Sequence, residues 1–238
     1  MVVTSGSNKQ VTQSTEDYLK AVFSLSEARA EREASTGDLA EALGVSPPAI
    51  SKMLKHLEKQ SLVAHTPYHG VCLTKKGRRI ALKTIRRHRL LELFLAQLLG
   101  YALESVHDEA ERLEHHISDE FERRIDALLG SPDCCPHGSP IPTRDGQIVS
   151  SHGQPLSDIE PPASLRIERL RASDAELLRH LSASGLLPGK VIRLIKREPF
   201  GGDLNLEIDK RRLRLSCQAA RSVIVSLQST QRRAARNT

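Results

Sequence analysis

The sequence predicts a mainly α-helical chain with small β parts, built as an N-terminal winged helix-turn-helix, a helical dimerisation module and a C-terminal SH3-like β-barrel. Three observations carry this. Two short helical stretches meet at a glycine and are followed by two short strands. Two long amphipathic stretches then run from Gly77 to Leu129. Past a proline-rich segment, short alternating strands with tight turns fill residues 164–228. The expected boundaries are 1–82, 83–142, a linker at 143–163, 164–228, and a disordered basic tail at 229–238.

Residues 1–13 are polar and expected to fray. Ser14 or Thr15 can cap a first helix that carries Asp17 in its opening turn, where a carboxylate suits the helix dipole in any case. Ser35 to Leu43 reads as a second helix, ended at Gly44. Ser46 and Pro47 open a third, with Ile50, Leu54 and Leu57 on its inner face. Its other face carries Ala49, Ser51, Lys52 and Lys55, with Ser46 and Pro48 at its start. Small, hydroxyl and basic side chains are the types that permit close approach to a major groove, thymine-methyl contact and phosphate neutralisation. Strands at 62–65 and 71–74, joined through Pro67-Tyr68-His69, form a wing. Lys75 and Lys76 follow it directly.

Charge is segregated. Thr36 to Arg89 holds eleven Lys/Arg against three Asp/Glu, and Leu90 to Asp133 holds three against eleven. A basic module beside an acidic one implies a polyanion for the first, here duplex DNA, and a cation for the second. Aromatics make up 3% of the chain and Trp is absent, which argues against a base-stacking single-strand binder. A helix-turn-helix serving only as a protein scaffold leaves the basic bias unexplained.

The cation side rests on His107, Glu111, Glu114 and His115, at i, i+4, i+7 and i+8 of one expected helix from Ser105 to Leu129. At roughly 100° per residue they share a sector of about 100°. Clustered carboxylates repel, and a divalent metal relieves that; a solvated acidic face is the bland alternative. The preceding helix offers His88 and Glu92, also at i, i+4. A helix pair with spare apolar surface fits a two-fold dimer.

Seven of the twelve prolines lie within 131–163. Cys134, Cys135 and His137 there are short of a four-ligand knuckle, because no second Cys/His cluster in the sequence completes it. With Cys72 and Cys217 they make no disulfide framework, so a reducing cytoplasm is expected. No export signal or membrane span is read.

Together these residues resemble the diphtheria-toxin-repressor family of metal-dependent transcriptional regulators, in its manganese-responsive branch. The resemblance spans residues 12–228. It is carried by Ser14-Thr15-Glu16-Asp17-Tyr18-Leu19, the winged helix, His88-Arg89-Leu90-Leu91-Glu92, His107 to Glu120, Gly138-Ser139-Pro140-Ile141-Pro142 and Leu186-Leu187-Pro188-Gly189. It implies two metal ions per subunit: a regulatory site of Asp17, Glu111, Glu114 and His115, and an ancillary site of His88, Glu92, His107 and Glu168. Asp17 and Glu111 stand where iron-responsive members carry Met and Cys. Lys20 replaces a carboxylate of some two-domain manganese regulators, and Arg171 a Gln of iron-responsive ones. Three carboxylates and an imidazole form a hard site that suits Mn²⁺, with Fe²⁺ close behind.

The expected function is a cytoplasmic homodimeric repressor of manganese and iron homeostasis genes that binds operator DNA when metal-loaded. One rival is a winged-helix regulator whose acidic helices are structural or take an organic ligand. Another is a di-metal carboxylate enzyme. The enzyme would need paired Glu-x-x-His motifs, whereas Glu111 and His115 are four apart.

Overall fold

The computed structural model describes residues 11–28, 33–66, 70–149, 153–171 and 174–228. The expected wing tip at 67–69, the N-terminus up to residue 10 and the tail at 229–238 lie outside them. Two compact units are formed, Met1–Arg87 with Pro142–Gln147, and His88–Ile141 with Ile148–Thr238.

In the first unit, α1 (Gln13–Ala28), α2 (Thr36–Leu43) and α3 (Pro47–Lys59) precede a hairpin of β1 (Val63–Thr66) and β2 (Gly70–Leu73). The start of α1 differs from expectation. Thr12, not Ser14 or Thr15, receives the Thr15 N–H at 3.3 Å, and this puts Asp17 one turn further in. Ser35 and Asp38 close a capping box on α2, and Gly44 ends it at φ 63°. Tyr18, Leu19, Val22, Leu39, Ile50, Leu54, Leu57 and Val71 are buried, as the 3.6-residue spacing of α1 and α3 requires.

Helix α4 (Lys75–Leu99) runs 25 residues, and the division between the units falls within it. It starts hard against the hairpin: a Cβ on Gly77 would lie 2.0 Å from the Leu62 carbonyl oxygen, so only glycine permits the approach.

The second unit departs from the single acidic helix expected at 105–129. Helix α5 (Val106–Leu113) stops and α6 (Asp119–Leu128) begins afresh. Ser118 restarts the chain: its Oγ accepts the Phe121 N–H at 3.1 Å, and Asp119, Glu120 and Glu122 follow in the first turn. Leu90, Leu91, Leu93, Leu95, Val106, Ala110 and Ile125 form the core between these helices.

The C-terminal sheet has six antiparallel strands in the order β3-β8-β4-β5-β6-β7. They are β3 (Gln154–Pro155), β4 (Ala163–Leu170), β5 (Val191–Arg197), β6 (Leu204–Ile208), β7 (Arg211–Leu215) and β8 (Val223–Leu227). Helix α7 (Ala175–Ala183) and the single turn α8 (Cys217–Ala220) complete it. Residues expected as linker therefore enter the sheet: β3 pairs with β8, and Leu156 and Ile159 are buried in its core. Their apolar side chains recover more by burial than a linker position would allow.

Candidate metal centre and DNA-reading face

On α3, Ser46, Pro48, Ala49, Ser51, Lys52 and Lys55 are all exposed, opposite the buried Ile50, Leu54 and Leu57. Ser46 is the N-cap residue, yet its side chain caps nothing. The reason lies in the next two residues. Pro47 and Pro48 have no N–H, and the Ala49 N–H goes to the Ser46 carbonyl at 2.9 Å. Ser51 Oγ donates to the Pro47 carbonyl at 3.1 Å. Of the two wing-end lysines, Lys75 is exposed, while Lys76 donates to the Gln60 carbonyl at 3.2 Å, at the C-terminal end of α3.

Most of the candidate metal-ligating side chains converge in the second unit. His88 and Glu92 project from α4, one turn apart and both buried. His107 comes from the first turn of α5; Glu111 lies a turn later, and Glu114 and His115 lie just past its end. His88 Nε2 lies 3.1 Å from Glu92 Oε1 and 3.1 Å from His107 Nδ1. Its other nitrogen, Nδ1, lies 2.5 Å from Glu114 Oε2 and 3.4 Å from Glu111 Oε2. Glu114 Oε1 is 3.3 Å from His115 Nε2.

His107 thus joins His88 and Glu92, as expected from the sequence. Glu111 and Glu114 adjoin the same His88 through its far side, so the two expected sets are not separate here. Asp17 lies on α1 of the first unit, partly buried.

The sequence reading missed two further residues at this place. Residues 133–141 fold back on themselves, with the Ile141 N–H on the Asp133 carbonyl at 2.7 Å and the Cys135 N–H on the Ser139 carbonyl at 2.9 Å. The fold-back is pinned to β4: the Leu170 N–H donates to the His137 carbonyl at 2.8 Å, and a Cβ on Gly138 (φ 83°) would meet the Glu168 carbonyl oxygen at 2.1 Å. Buried Cys135 and His137 are thereby delivered to Glu92, with His137 Nδ1 at 3.5 Å from Glu92 Oε1. The missing partners of the Cys/His segment come from α4, forty-odd positions upstream. Spacing within the segment could not reveal that; its Gly138-Ser139-Pro140 turn was the available signal.

Glu168, also expected in the ancillary set, is engaged on β8. It sits where the β4–β8 register shifts between Ile167 and Arg169, and its Oε1 accepts from Ser226 Oγ at 2.5 Å. Such a bulge re-aims a side chain, and here it aims the carboxylate at β8.

Proton bookkeeping decides what the cluster can hold. His137 Nε2 lies 3.1 Å from the Leu103 carbonyl, which can only accept, so Nε2 carries the proton and Nδ1 turns a lone pair toward Glu92. The fully buried Glu114 carboxylate likewise takes the His88 Nδ1–H, leaving the Nε2 lone pair facing Glu92 and His107. Burial alone pushes the Glu92 carboxyl up, but while the facing nitrogens of His107, His137 and His88 still carry protons, their hydrogen bonds and the His88 charge outweigh it and hold Glu92 well below its ordinary range; the lone pairs are those left once these protons leave. Burial, reinforced by the Glu92 charge, pushes the Cys135 thiol up. His88, Glu92 and His107 bring their donor atoms within 4.8 Å of one another, as do Glu92, Cys135 and His137, and donor sets this close call for a cation. The donors present therefore fit a divalent metal.

Three family models match the chain in succession. They are an iron-dependent repressor N-terminal DNA-binding domain over residues 10–71, an iron-dependent repressor metal-binding and dimerisation domain over 74–143, and a FeoA domain over 154–227. The diphtheria toxin repressor of Corynebacterium efficiens is 31% identical over 205 residues, covering 80% of this chain and 86% of that protein. The regulator MntR of Geobacillus kaustophilus is 37% identical over 131 residues, which is 49% of this chain and 91% of MntR. Among solved structures, a manganese-dependent transcriptional repressor in complex with manganese is 37% identical with a TM-score of 0.82, covering 90% of this chain and all of that one. The repressor ScaR with bound Zn²⁺ is 34% identical with a TM-score of 0.77, covering 90% of this chain and 99% of that one.

Proposed function

The chain belongs to the diphtheria-toxin-repressor family of metal-dependent transcriptional regulators, and from that premise we propose that it is a homodimeric, Mn²⁺-responsive repressor of metal-homeostasis genes, with Fe²⁺ as the competing effector. The observation that carries the metal reading is the convergence of His88, His107, His137 and Cys135 on Glu92, with the His137 Nε2 proton directed to Leu103 and the His88 Nδ1 proton to Glu114.

Two ions per subunit are proposed. Asp17, Glu111, Glu114 and His115 would hold the regulatory one, and His88, Glu92 and His107, with His137 and Cys135, the ancillary one. A bound Mn²⁺ supplies divalent charge that lets buried carboxylates lie together. Oxygen and nitrogen dominate both sets, which favours Mn²⁺ and Fe²⁺ over softer ions. Because Asp17 belongs to the reader module and the other three regulatory donors to the acidic one, engaging all four limits the freedom of the reader. That selects the arrangement in which two recognition helices match the operator.

The reader would approach the duplex through Ser46, Pro48, Ala49 and Ser51, with Lys52, Lys55, Lys75 and Lys76 on phosphates. Leu98, Leu99, Phe121 and Leu128 on the helices of the second unit, and Tyr101 just past α4, are exposed, between 41% and 66%. Such surface supports pairing with a second copy. No helix among the described residues is long and apolar enough to cross a membrane, and a cytoplasmic location is proposed.

The test is operator binding by fluorescence anisotropy, on a duplex selected from a random-sequence pool with Mn²⁺-loaded protein. Tight binding with Mn²⁺ that is lost in EDTA supports the reading. Equal binding in both sinks it. Parallel titration with anaerobic Fe²⁺ ranks the two metals.

A further inference from the structure

The outer face of the C-terminal sheet carries a set of arginines that the metal sites do not use. Along these strands Leu165, Ile192, Leu194, Leu206 and Ile208 turn inward and are buried. Arg166, Arg193, Arg212 and Arg214 alternate with the inward residues and are exposed. Register places Arg193, Glu207 and Arg212 directly opposite one another across β5, β6 and β7. Arg166 pairs with Val191, two residues along β5 from Arg193 and on the same face.

These cations divide into two groups. In the neighbouring row Lys196 pairs with Glu198 at 3.1 Å and Arg214 with Asp203 at 2.8 Å. Among the described residues, no ion pair involves Arg166, Arg193 or Arg212. Glu207, between two of them, is the one carboxylate in the row. Three arginines therefore share one face with a net positive charge. With strands about 4.8 Å apart, the Arg193 and Arg212 backbones are separated by about 10 Å.

That arrangement fits an extended array of monoanions better than a single carboxylate. A guanidinium fork matches phosphate bidentately, remains charged at every relevant pH and sheds water readily. Duplex DNA supplies such an array, with a phosphate charge about every 1.7 Å of axis. We propose that this face of the C-terminal sheet is a second, sequence-independent contact to the DNA backbone, outside the bases read by α3. The inference rests on the operator-binding reading, and adds to it a role for a module that otherwise has none on DNA.

The experiment uses the full chain, Mn²⁺-saturated, titrated over a range of KCl on the selected operator carrying one helical turn of flanking sequence on each side. The triple variant Arg166→Ser, Arg193→Ser, Arg212→Ser is compared with the parent. The expected result is a log–log salt slope shallower by about 2 to 3 and affinity at least about tenfold weaker at low salt, with the Mn²⁺ requirement retained. Glu207→Gln should move the other way, tightening binding. All four side chains are at least partly solvent-exposed, so thermal midpoints should stay within a degree or two of the parent. An unchanged slope in the triple variant overturns the proposal, as it would if the face served an acidic protein instead. If the parent shows no Mn²⁺-dependent binding, the operator reading has failed. The same comparison on mixed-sequence duplex then still decides the role of this face.

Discussion

His88 donates its Nδ1–H to Glu114 across 2.5 Å, joining a histidine of α4 to a carboxylate just past the end of α5. Glu114 is wholly buried and His88 nearly so. Because the other nitrogen of the same ring faces Glu92 and His107, the imidazole belongs to both donor sets. In the family reading, one would be regulatory and the other ancillary.

Replacing His88 should therefore disturb two ions, whereas replacing Asp17 should disturb one. His88→Ala is expected to lower Mn²⁺ stoichiometry at both sites in calorimetric titration. It should also cost the apo protein about 2–4 kcal/mol, because Glu114 stays buried without that donor. Asp17→Ala should retain the ancillary ion and the fold, measured by circular dichroism, yet lose Mn²⁺-stimulated operator binding.

Cys135 and Cys134 are adjacent, yet only Cys135 is buried beside Glu92 and His137. Co²⁺-substituted protein should show thiolate-to-metal charge transfer in the near ultraviolet that disappears in Cys135→Ala and persists in Cys134→Ala. Persistence in both variants would remove Cys135 from the ancillary set. His137→Ala, which takes away a donor oriented by Leu103, should weaken the ancillary ion about 10- to 100-fold.

Gly138→Ala is expected to destabilise the protein by about 2–4 kcal/mol, since the new methyl would meet the Glu168 carbonyl oxygen from a left-handed backbone. Its diagnostic signature is a lost ancillary ion in a chain whose DNA module still melts normally. Differential scanning calorimetry and metal titration on one sample report both.

The depressed Glu92 carboxyl fixes an acid limit for the metal-free protein. A folded-state value below the unfolded one means that the ionised group stabilises the fold above the unfolded value, near 4.3. That contribution is lost as pH falls from there through the lower folded value. Urea midpoints measured from pH 6 down to pH 3 should drop through this window. Glu92→Gln should flatten the drop, and an equal drop in both proteins would remove Glu92 as its cause.

Phosphate contacts by the reader module should appear in salt dependence. Lys52→Ala and Lys55→Ala are each expected to reduce the log–log slope of operator binding by about 0.9. Lys76 donates to the C-terminal end of α3, so Lys76→Ala should also lower the thermal midpoint slightly, which the other two should not.

Periodicity alone located the three reader helices, the hairpin and most strands of the sheet, because local hydrophobic spacing dictates which face each element buries. It joined α5 to α6, since apolar residues continue in phase across Ile117 and the Ser118 cap competes only locally. The linker estimate ran too long for a related reason: Leu156 and Ile159 sit among prolines and show no period, and only the open edge of β8 gives them a place.

By itself the sequence determined the fold class, the segregation of charge, and the identity of His88, Glu92, His107, Glu111, Glu114 and His115 as donor candidates. Residue type and helical spacing are local properties, and a helix face can be read from them. Only the tertiary structure decided that His88 lies between two donor groups, that Cys135 and His137 complete the surroundings of Glu92, and that Glu168 turns to Ser226 instead. Those outcomes depend on a fold-back docked through Gly138 onto a strand and on a bulge in that strand. They are long-range packing events, and no local spacing encodes them.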